Sequence, residues 1–163
     1  MVHLQWYGGE GEILSLQSEL RRFLTKSGAL TSMLMDSAGR LLTMVGTVIP
    51  QFDITSFVSL SASDFAANRE LARLLGEETF HDLFHQGERH GVYITQICDG
   101  MLMAVLFDRS TTLGLVRHSI RKTRPRIQPL LHAALTPPAE SMTRALGEEE
   151  FEQISEDIER MFE

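Results

Sequence analysis

Apolar residues recur along this chain at two different periods, and each change of period marks a new element. From Glu12 to Lys26 they fall at Ile13, Leu16, Leu20, Phe23 and Leu24, the spacing of a helix with one buried face, and Gly28 stops it. Ala29 to Met35 and Leu41 to Val45 are short apolar runs joined by Asp36-Ser37-Ala38-Gly39, a turn composition, so they predict a hairpin. Helical spacing returns from Asp53 to Gly76. Phe80 to His85, Val92 to Ile97 and Met101 to Phe107 then read as strands, with turns at Gly87–Gly91 and Asp99-Gly100, and the nearly all-apolar third run suits a central strand. A last helix begins near Ser110 or Thr111, either of which can cap it. The order αββαβββα, with tight connections inside each run of strands, predicts an α+β fold: one mainly antiparallel five-stranded sheet flanked by helices.

The Asp53–Gly76 helix has an unusual outer surface. At about 100° per residue, Ile54, Phe57, Val58, Ser61, Phe65, Ala72 and Leu75 share the face turned toward the domain. The opposite sector of its first four turns holds Thr55, Ser59, Ala62, Ser63 and Ala66, where a solvated helix usually carries long charged side chains. Small residues let another backbone approach closely, so this sector is a candidate contact surface; an ordinary surface helix with chance Ala and Ser is the competing reading.

Charge changes the picture only once it is located. The 163 residues carry a formal net charge of −7. Glu148 to Glu163 holds eight acids against Arg160 alone, so that segment accounts for the whole imbalance and the rest of the chain is neutral. Within the segment, Phe151, Ile154, Ile158, Met161 and Phe162 follow helical spacing, giving one apolar stripe on an acidic helix. A helix that short is marginal alone and needs a groove. Two grooves fit: one on a partner, in helix-in-groove recognition, or one on its own dimer with the acids over Arg117, Arg121 and Lys122. Pro137-Pro138 makes the preceding stretch a linker. The expected organisation is a domain over 1–135, a linker over 136–147 and an amphipathic helix over 148–163. Pro125 and Pro129 fall inside the last helix of the domain, where a proline costs about 3 kcal/mol, so a kink or a restart at Pro125 is expected.

Several kinds of chemistry find little support. No apolar run approaches the roughly 20 residues that span a bilayer, and the first ten residues lack a signal-like pattern, so a cytoplasmic protein without membrane insertion is expected. The basic cluster Arg117, Arg121, Lys122, Arg124 and Arg126 is unaccompanied by aromatic platforms or a recognised motif, which argues against nucleic acid. His81 and His85 are four apart, but on a strand they share a face with Leu83 and no ligand set completes a metal site. Gly8-Gly9-Glu10-Gly11 lacks the Lys-Ser/Thr of a phosphate-binding loop. Cys98 has no second cysteine and no evident base. No cofactor, metal or catalytic residue is therefore expected.

The ordered set of motifs resembles the roadblock family. It comprises Asp36-Ser37-Ala38-Gly39-Arg40, the run from Leu60 to Ala67 through Leu74-Leu75-Gly76-Glu77, Phe84-His85-Gln86-Gly87-Glu88, Val105-Leu106-Phe107-Asp108 and Thr112 to Arg117. With the ending Phe151 to Ile158 and Met161-Phe162, the chain most resembles the bacterial branch that regulates MglA-type, Ras-like small GTPases of cell polarity and gliding motility. The resemblance implies a homodimer joined through the second helix and neighbouring strand, whose paired helices form a platform for one GTPase. On this chain the platform would fall on Ser59, Ala62, Ser63, Ala66, Arg69, Glu70 and Arg73. It further implies activation without a donated arginine finger, by reshaping the partner's switch. Phe151, Ile154, Ile158, Met161 and Phe162 would bind the GTPase elsewhere and favour nucleotide exchange, with recruitment to a cell pole as the setting. A roadblock scaffold that binds a GTPase or motility complex without stimulating hydrolysis is the alternative.

Overall fold

In the computed structural model, which describes residues 6–47, 49 and 52–136, the hydrophobic periods become eight elements. They are α1 (Glu10–Ser27), β1 (Thr31–Asp36), β2 (Leu41–Gly46), α2 (Ile54–Leu74), β3 (Asp82–Gln86), β4 (His90–Cys98), β5 (Met101–Asp108) and α3 (Leu113–Leu135). The five strands form one antiparallel sheet in the order β2-β1-β5-β4-β3, so the α+β arrangement is as the sequence predicts. Residues 137–147 of the expected linker and all of 148–163 lie outside the described residues.

The most apolar strands take the middle because both of their faces are covered. β5 is buried from Met101 to Phe107 and β1 along its whole length. On one face α1 and α3 pack side by side, placing Leu16, Leu20, Phe23, Val116, Ile120, Ile127 and Leu131 over Leu34, Met103 and Val105. On the other face α2 lies alone, and Val58, Ala62 and Phe65 meet Met33, Met35, Ile94, Leu102 and Ala104. Each large apolar side chain removed from water in this way stabilises the fold by about 1.5–3 kcal/mol.

Local chemistry sets the ends of the helices. Gly28, at φ 68°, caps α1 and returns its N–H to the Leu24 carbonyl. Asp53 caps α2, accepting hydrogen bonds from the Ser56 N–H at 3.1 Å and the Ser56 hydroxyl at 2.6 Å. α3 is capped by Thr112 rather than by Ser110 or Thr111. Those two hydroxyls are already committed, Ser110 to the Asp108 carboxylate and Thr111 to the Ser27 carbonyl, both at 2.5 Å. The third strand starts at Asp82 instead of Phe80.

The expected restart at Pro125 does not occur, and α3 runs as one helix through both prolines. Pro125 and Pro129 are four apart on its exposed side. The carbonyls they leave without intrahelical donors, those of Arg121 and Pro125, therefore have water within reach, while Ile127 and Leu131 hold the buried side.

Candidate partner-binding face

α2 is the single helix on its side of the sheet, and its outward surface carries most of the residues the sequence singled out. Ser59, Ser63, Ala66, Arg69, Glu70 and Arg73 are exposed. Ser63 turns its hydroxyl back onto the Ser59 carbonyl at 2.9 Å, so its outward surface is largely methylene and backbone. Arg73 is paired with Glu70 at 2.7 Å. The β1–β2 turn abuts this surface: a Cβ on Gly39, itself at φ 81°, would come within 2.8 Å of the Ser59 Cα. Gly39 thus permits both the left-handed turn and the close approach of turn to helix. Asp36 holds the turn in shape, its carboxylate accepting from the Ala38 and Arg40 N–H groups at 3.0 and 2.9 Å and from the Arg40 guanidinium at 2.6 Å.

Two positions correct the sequence reading of the helix. Ala62, placed among the outward small residues, is only 4% exposed and belongs to the core between Val58 and Phe65. Leu75, placed on the inner face, is 72% exposed. The buried sector is centred on Val58, Ser61, Phe65 and Ala72, and it is wide enough to take in Ala62, which joins the cluster of Met33, Met35, Val58 and Phe65.

The sequence reading also missed a second apolar stripe. Leu60, Leu71 and Leu74 are 69, 55 and 82% exposed, and at about 100° per residue they align with Ala67 opposite the core sector. The series Leu60, Ala67, Leu71, Leu74, at spacings of seven, four and three residues, was the available signal. Exposed leucines in a row on one helix are unusual on a surface that meets only water.

Beside this stripe lies an open sheet edge. β3 ends the strand order and pairs only with β4, so its outer backbone groups have no strand partner among the described residues. Alternate side chains diverge: Leu83 packs beneath α2, whereas Phe84, 36% exposed, stacks on Phe107 with ring centroids 6.0 Å apart. His85 reaches Asp64 of α2 at 2.5 Å and ties the edge strand to the helix. Helix stripe, small-residue sector and open edge therefore form one continuous surface.

The remaining chemical candidates stay apart. His81 precedes β3 and is exposed, so it does not join His85, and no group of three metal-ligating side chains exists among the described residues. Burial, reinforced by the Asp99 charge, pushes the Cys98 thiol up, which keeps it protonated and poorly nucleophilic. No helix among the described residues is long and apolar enough to cross a membrane. Phe151, Ile154, Ile158, Met161 and Phe162 lie outside the described residues.

A family model described as Roadblock/LC7 domain matches residues 16–107, from within α1 to the end of β5. Among solved structures, one described as MglB with tetrameric arrangement is 27% identical, covering 82% of this chain and 100% of that one with a TM-score of 0.75. Myxococcus xanthus MglB is 31% identical over 72% of this chain and 95% of its own, at a TM-score of 0.67. The gliding protein MglB of Thermus thermophilus is 26% identical over 82 and 100%, at 0.73. No significant match is found among curated proteins.

Proposed function

The chain belongs to the Roadblock/LC7 domain family, and on that premise we propose that it is a homodimeric, non-catalytic regulator of a Ras-like small GTPase of the MglA type, acting in bacterial cell polarity and gliding motility. The observation that carries this reading is the continuous surface of α2 and β3: leucines 60, 71 and 74 exposed beside an unpaired strand edge. A second copy can cover the stripe and the edge together, which leaves Ser59, Ser63 and Ala66, with Arg69, Glu70 and Arg73 at the far end, as the GTPase platform. Arg73 is held by Glu70, in keeping with activation by reshaping the partner's switch and placing its own catalytic groups rather than by a donated arginine. Residues 148–163 are the second contact, with Phe151, Ile154, Ile158, Met161 and Phe162 engaging the GTPase away from the platform and promoting nucleotide exchange.

Single-turnover GTP hydrolysis by an MglA-type GTPase tests the proposal. Hydrolysis is expected to accelerate with the protein present, and the Leu71→Glu, Leu74→Glu double variant should lose both dimerisation in sedimentation velocity and the acceleration. A complex that forms and leaves the hydrolysis rate unchanged would make the protein a scaffold for the GTPase instead. Truncation after Ala145 should slow exchange or weaken binding, and unchanged kinetics would remove the tail from the partner's surface.

A further inference from the structure

The opposite face of the molecule holds a cleft that the GTPase reading does not use. Arg117, Arg121 and Arg124 follow one another at four and three residues along α3 and so project from a single ridge, with Gly114 leaving the ridge open at its N-terminal end. Facing them across about 590 Å³ are His81, Asp82 and Tyr93. Arg124 reaches inward to the buried Thr95 hydroxyl at 2.9 Å, and that hydroxyl donates to Asp82 at 2.7 Å. Arg117 stands 3.6 Å from the other Asp82 oxygen. Asp82 is thus paired directly with Arg117 alone and linked to Arg124 only through the Thr95 hydroxyl, while Arg121 is exposed and the Arg124 Nε–H is buried without a hydrogen-bond partner. Leaving His81 aside, the lining carries three arginines against one carboxylate. Arginine forks with spare donors in a partly desolvated cleft favour carboxylates.

We propose that this cleft docks the chain's own acidic segment, Glu148–Glu163. Charge complementarity is the first argument: the segment bears eight carboxylates against one arginine, and the remainder of the chain is electrically neutral. Reach is the second. The described chain ends at Thr136, at the far end of α3, and Arg121 lies about 22 Å back along that helix at 1.5 Å per residue. The twelve residues from Thr136 to Glu148 span up to about 40 Å when extended, so the first acids return to the cleft with slack to spare. A short tether also holds them there at an effective concentration in the millimolar range, which lets individually weak ion pairs add up. The segment is thereby withdrawn from any other partner until that partner outcompetes the cleft. Docking requires no GTPase, so its test is independent of the proposed function.

Paramagnetic relaxation in the full chain tests it. A nitroxide is placed on Ser155→Cys in a Cys98→Ser background, and backbone amide signals are followed. Those of Tyr93 and of residues 117–124 should lose about half of their intensity or more, as for a site filled by a tethered ligand. The loss should vanish in Arg121→Glu, and at about 1 M salt, where the screening length falls to about 3 Å. The pair Glu152→Lys, Glu156→Lys approaches the question from the tail side without touching the folded domain and should abolish the loss equally. Undiminished signals at the cleft, or a loss that both reversals leave intact, overturn the proposal. So does a loss seen only when spin-labelled and isotope-labelled chains are mixed, since the occupant would then be a second copy.

Discussion

The two faces of the sheet are built from the same strands and differ in what covers them. Two helices, α1 and α3, close one face with leucines, isoleucines and Phe23, most of them completely buried. The other face has α2 alone over Met33, Met35, Ile94, Leu102 and Ala104, with Phe65 its largest buried side chain. The helices of the first face expose one leucine each, Leu14 on α1 and Leu115 on α3, whereas α2 lines up Leu60, Leu71 and Leu74 in one stripe beside an uncovered strand edge. Under the proposed function the GTPase and the second copy meet the thinner side, while the side with redundant cover can hold the fold.

The largest expected effect tests the first half of that division. Phe23 is fully buried at the centre of the α1/α3 core, and Phe23→Ala should cost about 3–5 kcal/mol in urea unfolding. A loss below about 1 kcal/mol would mean that this face does not carry the stability assigned to it.

A pair of alanines one turn apart sharpens the boundary on the other face. Ala62 packs inward, so Ala62→Arg should destabilise the fold by about 1–3 kcal/mol or more through overpacking and the burial of a charge. Ala66 is exposed, and Ala66→Arg should alter unfolding by no more than about 0.5 kcal/mol while abolishing dimerisation or partner binding. Equal stability of the two variants would erase the distinction between inner and outer sectors. If Ala66→Arg dimerises and binds normally, the small-residue sector is plain surface.

That boundary is also where sequence reading reached its limit. Element order and sheet class were legible because buried strands and amphipathic helices impose different periods on apolar residues. Helical angle alone placed Ala62 outside and Leu75 inside, because the width of the buried sector depends on the side chains of β1 and β5, far away in sequence. Three consecutive hydroxyls, Ser110 to Thr112, precede α3, and the cap falls to Thr112 because Ser110 is taken by a local bond to Asp108 and Thr111 by a long-range one to Ser27. The leucine stripe was present as a spacing but hidden behind the assumption that a helix has one apolar face. The arginine ridge on α3 was equally visible as a basic cluster, whereas Asp82, Thr95 and Tyr93, which turn it into a cleft, are brought there by the strand register.

The smallest effect at neutral pH probes the charge network on the stable face. Tyr93 is nearly buried, and its hydroxyl is pushed up to about 12, first by burial and then by the hydrogen bond and charge of Asp82, with Arg117 opposing. A phenol with a raised pKa holds its proton more tightly in the folded state. It therefore contributes stability that is fully present below the ordinary value of about 10 and lost as pH rises from there through about 12. Nothing should change near pH 7. Because the chain has two tyrosines, Tyr7→Phe isolates Tyr93, whose ultraviolet titration should have its midpoint near 12 in the folded protein and near 10 in urea. Asp82→Asn should draw the folded midpoint downward, since it removes the negative charge that resists phenolate formation. A folded midpoint near 10 would show that Tyr93 is not buried as described, and a raised midpoint that Asp82→Asn leaves unmoved would show that Tyr93 and Asp82 are not held together in the cleft.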